Sequence, residues 1–239
     1  EVMSVNIANG LAKRKLNSHI CVTRNEGILK ERIEPKVGYL FLNKKKTLDL
    51  KAVFKLKKYI IKHKIEIVHA HSSSFFIAIL VKLLKPSIKI IWHDHYGNAN
   101  EVKKRKFKVL KLASILFKVT ISVNKILYNW AKNNLNSKNV IYLANFSELE
   151  DSKLKITLKG NKGKRIICLA AFRPQKDHFN LIESFKNIEK RYPDWSLHLI
   201  GDDKNDTYYI NIKNFIFNNN LESKIHLYKS SSNVKSILE

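Results

Sequence analysis

Short apolar runs alternate with amphipathic stretches of roughly 10 to 18 residues almost from one end of the chain to the other, which confines it to repeated strand-then-helix units. Helices are expected over residues 2–11, 49–64, 74–84, 101–117, a segment ending near 134, 177–191 and 207–219. Strands are expected over 18–23, 37–42, 65–70, 88–93, 119–123, 140–143, 165–171, 195–200 and 225–228. Val53, Leu56 and Ile60 make one apolar stripe on the second of these helices, and Phe107, Leu110 and Ser114 are spaced to face a core in a later, basic one. Strands this apolar, joined by helical crossovers, imply parallel sheets covered on both faces.

The polar stretch 148–164, with Gly160 and Gly163, reads as a linker between two doubly wound α/β units, 1–147 and 165–239. The second unit has 75 residues where such a unit normally wants on the order of 100 to 150. The first opens with a helix instead of a strand. A chain clipped at both ends is therefore the expectation.

Composition narrows the function. With 239 residues, 44% hydrophobic and 27% charged, the chain can bury a sizeable core. Its longest apolar run, residues 75–81, is far short of the roughly 20 residues of a membrane-spanning helix. No charged-then-apolar leader opens the sequence, and Cys21 and Cys168 both sit in apolar runs. A cytoplasmic protein with both thiols as small core residues is expected. The formal net charge of +25 is unevenly spread: residues 1–147 hold 29 basic and 8 acidic side chains, and residues 148–239 hold 16 and 12. Uniform compositional drift would not divide in this way, so an anionic partner is expected for the first half. A nucleic-acid-binding protein is the alternative that the charge alone motivates. Against it, the aromatic residues are not interleaved with the basic ones as stacking platforms, and no binding motif occurs, so no nucleic-acid partner is expected.

In parallel α/β sheets, ligands bind beyond the carboxyl ends of the strands. The strand over 65–70 runs into His69-Ala70-His71-Ser72-Ser73-Ser74, and the strand over 88–93 into His93-Asp94-His95-Tyr96-Gly97-Asn98. Strand alternation places His69 and His71 on one side. The three serines can cap the following helix and leave backbone N–H groups for an anion. A single histidine is ordinarily a hydrogen-bonded core residue, but four at two strand ends mark a site. A His–Asp pair there can orient a hydroxyl or take up a proton. The same pairs with Asp94 are also donor types for Zn or Fe, the reading of a metal-dependent hydrolase. No Cys lies nearby, and neither His-Glu-x-x-His nor His-x-His-x-Asp-His occurs, so a polar cleft without metal is preferred.

The strand over 165–171 leads into Phe172-Arg173-Pro174-Gln175-Lys176-Asp177-His178 and a helix. Arg173 and Lys176 thus stand around a helix N-terminus, where fixed positive charge and the helix dipole together suit a diphosphate. The next strand ends in Gly201 and Asp202, with glycine where close backbone approach is useful. Neither Gly-x-Gly-x-x-Gly nor Gly-x-x-x-x-Gly-Lys-Ser/Thr occurs among the 7 glycines, which disfavours dinucleotide oxidoreductases and P-loop NTPases.

On these segments the chain resembles the retaining family 4 glycosyltransferases of the GT-B fold. Residues 65–71 are similar to the family's D-I-V-H-x-H strand end, and 90–97 (I-I-W-H-D-H-Y-G) to its acceptor-side histidine segment. Residues 121–124 and 140–146 resemble the last strands before the interdomain crossover. The most specific match is 171–185, A-F-R-P-Q-K-D-H-F-N-L-I-E-S-F. The resemblance implies two Rossmann-like domains, the first binding the acceptor and the second, incomplete, binding a nucleotide sugar. It implies Arg173, Lys176 and Gly201 on the donor, His93 as the catalytic residue near the reacting sugar, and His69, His71, Ser72, Asp94 and His95 on the acceptor. It further implies retention of configuration without a metal or other cofactor. The likeness departs at Ala171, where the family carries an Arg five residues before the Lys, and the family's Glu-x7-Glu motif is expected after Glu239, so these 239 residues are not expected to turn over alone.

Enzymes of the type it resembles often extend lipid-linked glycans, and a part in building surface polysaccharide is the expectation. That gives the basic first half a reason, because an anionic headgroup surface attracts lysines at roughly 1 kcal/mol each. Lys51 and Lys55 on one helix and Lys104 and Lys108 on another are the candidates, at the inner face of the plasma membrane.

Overall fold

A computed structural model describes residues 2–146, 157–202, 206–230 and 237. The chain divides into two compact units, residues 1–148 and 149–239. In the first, α1 (Val2–Lys13) precedes β1 (His19–Val22) and β2 (Gly38–Phe41), which pair in parallel. Then follow α2 (Leu50–Lys62), β3 (Ile67–His71), α3 (Phe75–Leu84), β4 (Lys89–Asp94), α4 (Lys108–Ala113), β5 (Phe117–Ser122), α5 (Lys125–Asn134) and β6 (Val140–Tyr142). Strands β3-β4-β5-β6 form one parallel sheet in that order. The second unit contains β7 (Arg165–Leu169), α6 (His178–Arg191), β8 (Ser196–Gly201), α7 (Thr207–Asn218) and β9 (Ile225–Lys229), with β7-β8-β9 parallel.

Local chemistry explains the boundaries. Asp49, Asn124 and Asp206 each accept a hydrogen bond from an amide one turn into α2, α5 and α7, occupying a donor that the helix itself leaves open. Gly38 lets β2 lie against β1, since a Cβ there would fall 2.0 Å from the ring of His19. The stripe on α2 packs as spaced: Val53, Leu56 and Ile60 are buried with Leu40, Leu42, Ile77, Val81 and Ile88. Trp92, Phe117, Leu127 and Trp130 anchor a second cluster over the four-stranded sheet. Each such side chain contributes roughly 1.5–3 kcal/mol by leaving water. In the second unit β8 is buried along its whole length, with Leu197 and Leu199 against Ile182, Phe185, Ile212 and Ile216 of α6 and α7.

Two expectations change. The basic helix over 101–117 is three short pieces: 3-10 turns at Ala99–Lys104 and Ser114–Leu116 flank α4, and β5 begins two residues early, at Phe117. The break falls at Arg105, whose extended backbone (ψ 126°) carries its guanidinium to Asp94. Leu110 and Ser114 are buried nonetheless, and Phe107 packs against their cluster. Cys21 is exposed rather than in the core, because β1 turns it to solvent, while Cys168 is half-buried. Part of the stretch 148–164 lies outside the described residues; within the described remainder, Leu158 is buried with Ile200 and Ile237. Among the described residues no helix is long and apolar enough to cross a membrane.

Candidate functional site

Parallel pairing of β3 and β4 sets Ile67 opposite Lys89 and carries the register up to His71 opposite His93. Side chains alternate along each strand, so His69 and His71 share a face with His93 and His95. The four imidazoles meet there. His69 Nε2 lies 3.2 Å from His93 Nδ1, and His71 Nδ1 lies 3.0 Å from His95 Nε2. Ring centroids are 4.4 Å apart for His69–His71 and 4.1 Å for His93–His95. His93 is fully buried, and its Nε2 has no hydrogen-bond partner among the described residues. Burial comes first among the causes that hold these rings neutral, followed by mutual proximity: His69 is pushed down to about 4, His93 to about 3 and His71 to about 2. His95 is lowered too, by burial. Neutral imidazoles offer one donor and one acceptor nitrogen each, which suits them to hydroxyl groups and to proton transfer.

Asp94 lies elsewhere. One residue on from His93, it points to the opposite face of β4, where Arg105 holds it through two hydrogen bonds of 2.6 and 3.1 Å. The carboxylate is 1% exposed and the guanidinium 12%, and the latter sits over the rings of Tyr96 (4.5 Å), Trp130 (4.7 Å) and Trp92 (5.5 Å). The structure therefore separates the His93–Asp94 pair, and Asp94 supports the strand end instead of lining the histidine face. The serines also take different work. Ser74 Oγ donates to the His71 carbonyl and caps no amide of α3. Ser72 adopts φ +48°, and its carbonyl accepts from Trp92 Nε1 at 2.9 Å, which pins the turn beside the histidines. A left-handed non-glycine residue is strained and is held here by that clamp.

In the second unit, β7 leads to a 3-10 turn, Pro174–Lys176, and into α6 through Asp177 at φ +51°. Arg173 and Lys176 are both exposed at this turn, and the Asp177 side chain caps no amide of the 14-residue α6, whose first N–H, that of His178, donates to the Tyr208 hydroxyl instead. Two basic side chains thus flank the turn that leads into the N-terminus of α6. Gly201 serves the scaffold: a Cβ there would fall 2.0 Å from the Ala170 carbonyl oxygen, so only glycine lets β8 run this close past the end of β7. His178 opens α6 fully packed, its backbone N–H donating to the Tyr208 hydroxyl at 3.1 Å and its ring stacked on Phe172 at 5.0 Å. Arg105 and Tyr208 were not visible in the motifs, because they lie 11 and 30 residues along the chain from their partners. Nothing in their spacing announces the contact.

Two parallel-sheet α/β units of this kind are those of the GT-B fold. The chain belongs to the glycosyltransferases: residues 1–142 match Glycosyltransferase Family 4, and residues 149–239 match Glycosyl transferases group 1. Among solved structures it is similar to Anabaena HepE in complex with UDP and glucose, with a TM-score of 0.73 at 10% identity, covering 100% of this chain and 68% of that one. A TarM mutant of S. aureus in complex with Fondaparinux, alpha-GlcNAc-glycerol and UDP gives 0.71 at 10%, covering 100% and 76%. The UDP-N-acetylglucosamine 2-epimerase of Rickettsia bellii gives 0.59 at 12%, covering 99% and 68%. In another TarM structure the chain spans only 38% of the length. At these identities the likeness establishes the fold alone. No curated protein matches the sequence.

Proposed function

We propose that the protein moves a sugar, with retention of configuration, from a nucleoside-diphosphate sugar to a hydroxyl of a glycan or lipid-linked acceptor, as a step in building cell-surface polysaccharide. The observation that carries this is the exposed pair Arg173 and Lys176 at the start of α6. Cleavage of a nucleotide sugar leaves negative charge on a diphosphate, and fixed cations with a helix N-terminus stabilise that charge as it develops. The transfer then needs no divalent ion at the diphosphate. The buried, neutral histidines at the ends of β3 and β4 receive the acceptor, with His93 as the catalytic ring, and His69, His71, His95 and the Ser72 turn positioning the hydroxyl. Asp94 is a positioning residue that holds the end of β4 from the opposite face through Arg105. UDP in the HepE and TarM complexes favours a uridine nucleotide.

The test is a thermal-shift and calorimetric screen of UDP-, GDP- and ADP-sugars against the chain and its Lys176→Ala variant. One donor is expected to stabilise the first and not the second. Absence of heat and of stabilisation with every donor overturns the proposal.

The acceptor is proposed to lie at an anionic membrane surface on the cytoplasmic side. Helix α4 exposes Val109 (62%) and Leu112 (71%), with Ile115 (60%) just beyond it, interleaved with Lys108 and Lys111. An apolar ridge edged by lysines suits the boundary between headgroups and acyl chains. Lys51, on α2, adds charge, whereas Lys55 bonds the Phe41 carbonyl and Lys104 pairs with Glu101. Co-sedimentation with anionic and with neutral vesicles decides this: equal binding to both, or binding unchanged in Leu112→Ser, overturns it.

A further inference from the structure

We infer that His69, His71 and His93 form a site for a zinc-type divalent ion, and that an ion held there acts as a brake on the acceptor face. The braking half rests on the acceptor reading above; the ion site does not.

One ligand nitrogen on each of these three histidines lies within 4.8 Å of the other two. A tetrahedral zinc with Zn–N near 2.0–2.1 Å separates its ligands by about 3.3 Å. His69 and His93 already stand at 3.2 Å. The half-buried His71 offers the third nitrogen, within 4.8 Å of the other two. His95, hydrogen-bonded to His71 at 3.0 Å, orients that ring in the manner of an outer-shell partner.

The donor set also selects the ion. Among the described residues no carboxylate joins the three imidazoles, and the nearest in sequence, Asp94, is committed to Arg105 on the opposite face of β4. An all-imidazole set suits zinc, copper or nickel and offers nothing to magnesium or calcium. An ion bound there withdraws the ring nitrogens from any hydroxyl acceptor.

Chelator-treated chain is titrated with Zn²⁺ by calorimetry, and with Co²⁺ while the visible d–d bands are read. One equivalent of Zn²⁺ and the intense absorption of low-coordinate Co²⁺ are expected. Binding should weaken at least roughly tenfold in His69→Asn/His71→Asn. It should be unchanged in His19→Asn/His63→Asn, which alters the other paired histidines of the first unit. No stoichiometric uptake, or uptake that the first variant leaves intact, overturns the site. If that variant does not fold, the Co²⁺ spectrum of the unaltered chain decides alone, and a featureless spectrum counts against the site. Zinc that tightens nucleotide-sugar binding overturns the brake. Failure of the donor reading itself appears only in the metal-free nucleotide-sugar titration.

Discussion

At the ends of β3 and β4 four imidazoles gather, His93 buried and the other three half-buried, and burial holds them towards the neutral form, whereas at the end of β7 two exposed cations stand on a short turn. Both turns carry a left-handed non-glycine residue, Ser72 in one and Asp177 in the other. They are anchored differently. The first is clamped by the Trp92 indole and backed, across β4, by the Asp94–Arg105 pair; the second is set by backbone geometry at Gly201 and the start of α6. The first site is therefore woven into the core of its unit, and its residues cannot change without a stability cost. The second can vary its side chains freely, because they support no packing.

The sharpest way to break this contrast is Asp94→Ala. Removing the carboxylate leaves the nearly buried Arg105 without its counter-charge, and about 3–5 kcal/mol of stability should be lost. Lys176→Ala should change stability by no more than about 0.5 kcal/mol, being exposed and outside the core. Denaturant unfolding of both variants measures the difference, and similar midpoints would erase it.

Lys176→Ala carries its effect into binding instead. Loss of one charge-assisted hydrogen bond to a diphosphate should weaken the nucleotide sugar by roughly 1.5–3 kcal/mol, about ten- to a hundredfold, at unchanged melting temperature. A variant that binds as well as the parent moves the donor away from this turn.

These differences mark what the sequence could and could not disclose. Strands and crossovers were legible because the period of the apolar residues is local; the Val53, Leu56, Ile60 stripe is buried as spaced. The meeting of His69 and His71 with His93 and His95 was half legible. Alternation fixes the face of each pair, but the register that sets His71 opposite His93 comes from the sheet. Asp94 was misleading for the same reason that His93 was informative: adjacent residues on a strand face opposite ways. Arg105 breaks its helix for a tertiary bond, which no local propensity encodes. Gly201 was visible as a glycine, though the need to clear the Ala170 carbonyl was not.

Gly201→Ala sharpens the backbone half of the comparison. Its Cβ would collide with main-chain atoms that cannot rotate aside, so the ends of β7 and β8 must part, at about 1–3 kcal/mol. Thermal melting checks this. Donor affinity should fall with it, since Arg173 and Lys176 ride on the end of β7, and a destabilised variant with undiminished affinity would show that the turn keeps its shape without the strand.

The smallest expected effect concerns pH, and it asks whether neutral burial belongs to the first unit alone. His198, on β8, is fully buried, with Ser196 Oγ 2.9 Å from its Nε2 and the Tyr228 hydroxyl 3.3 Å from its Nδ1. Burial first, then His226 and Arg165, pushes it down to about 4 from the ordinary 6.5. Between those values the unfolded chain binds a proton that the folded unit refuses. Stability from this residue is therefore complete above about pH 6.5 and drains away as the pH falls toward 4. His198→Gln keeps donors and acceptors within reach of Ser196 and Tyr228 but cannot titrate. Amide-exchange protection of β8, followed from pH 7 to 4.5, should thus decline less steeply in the variant than in the parent. Equal slopes would mean that His198 takes up its proton without cost, and that enforced neutrality is a property of the strand-end histidines and not of buried histidines in this fold.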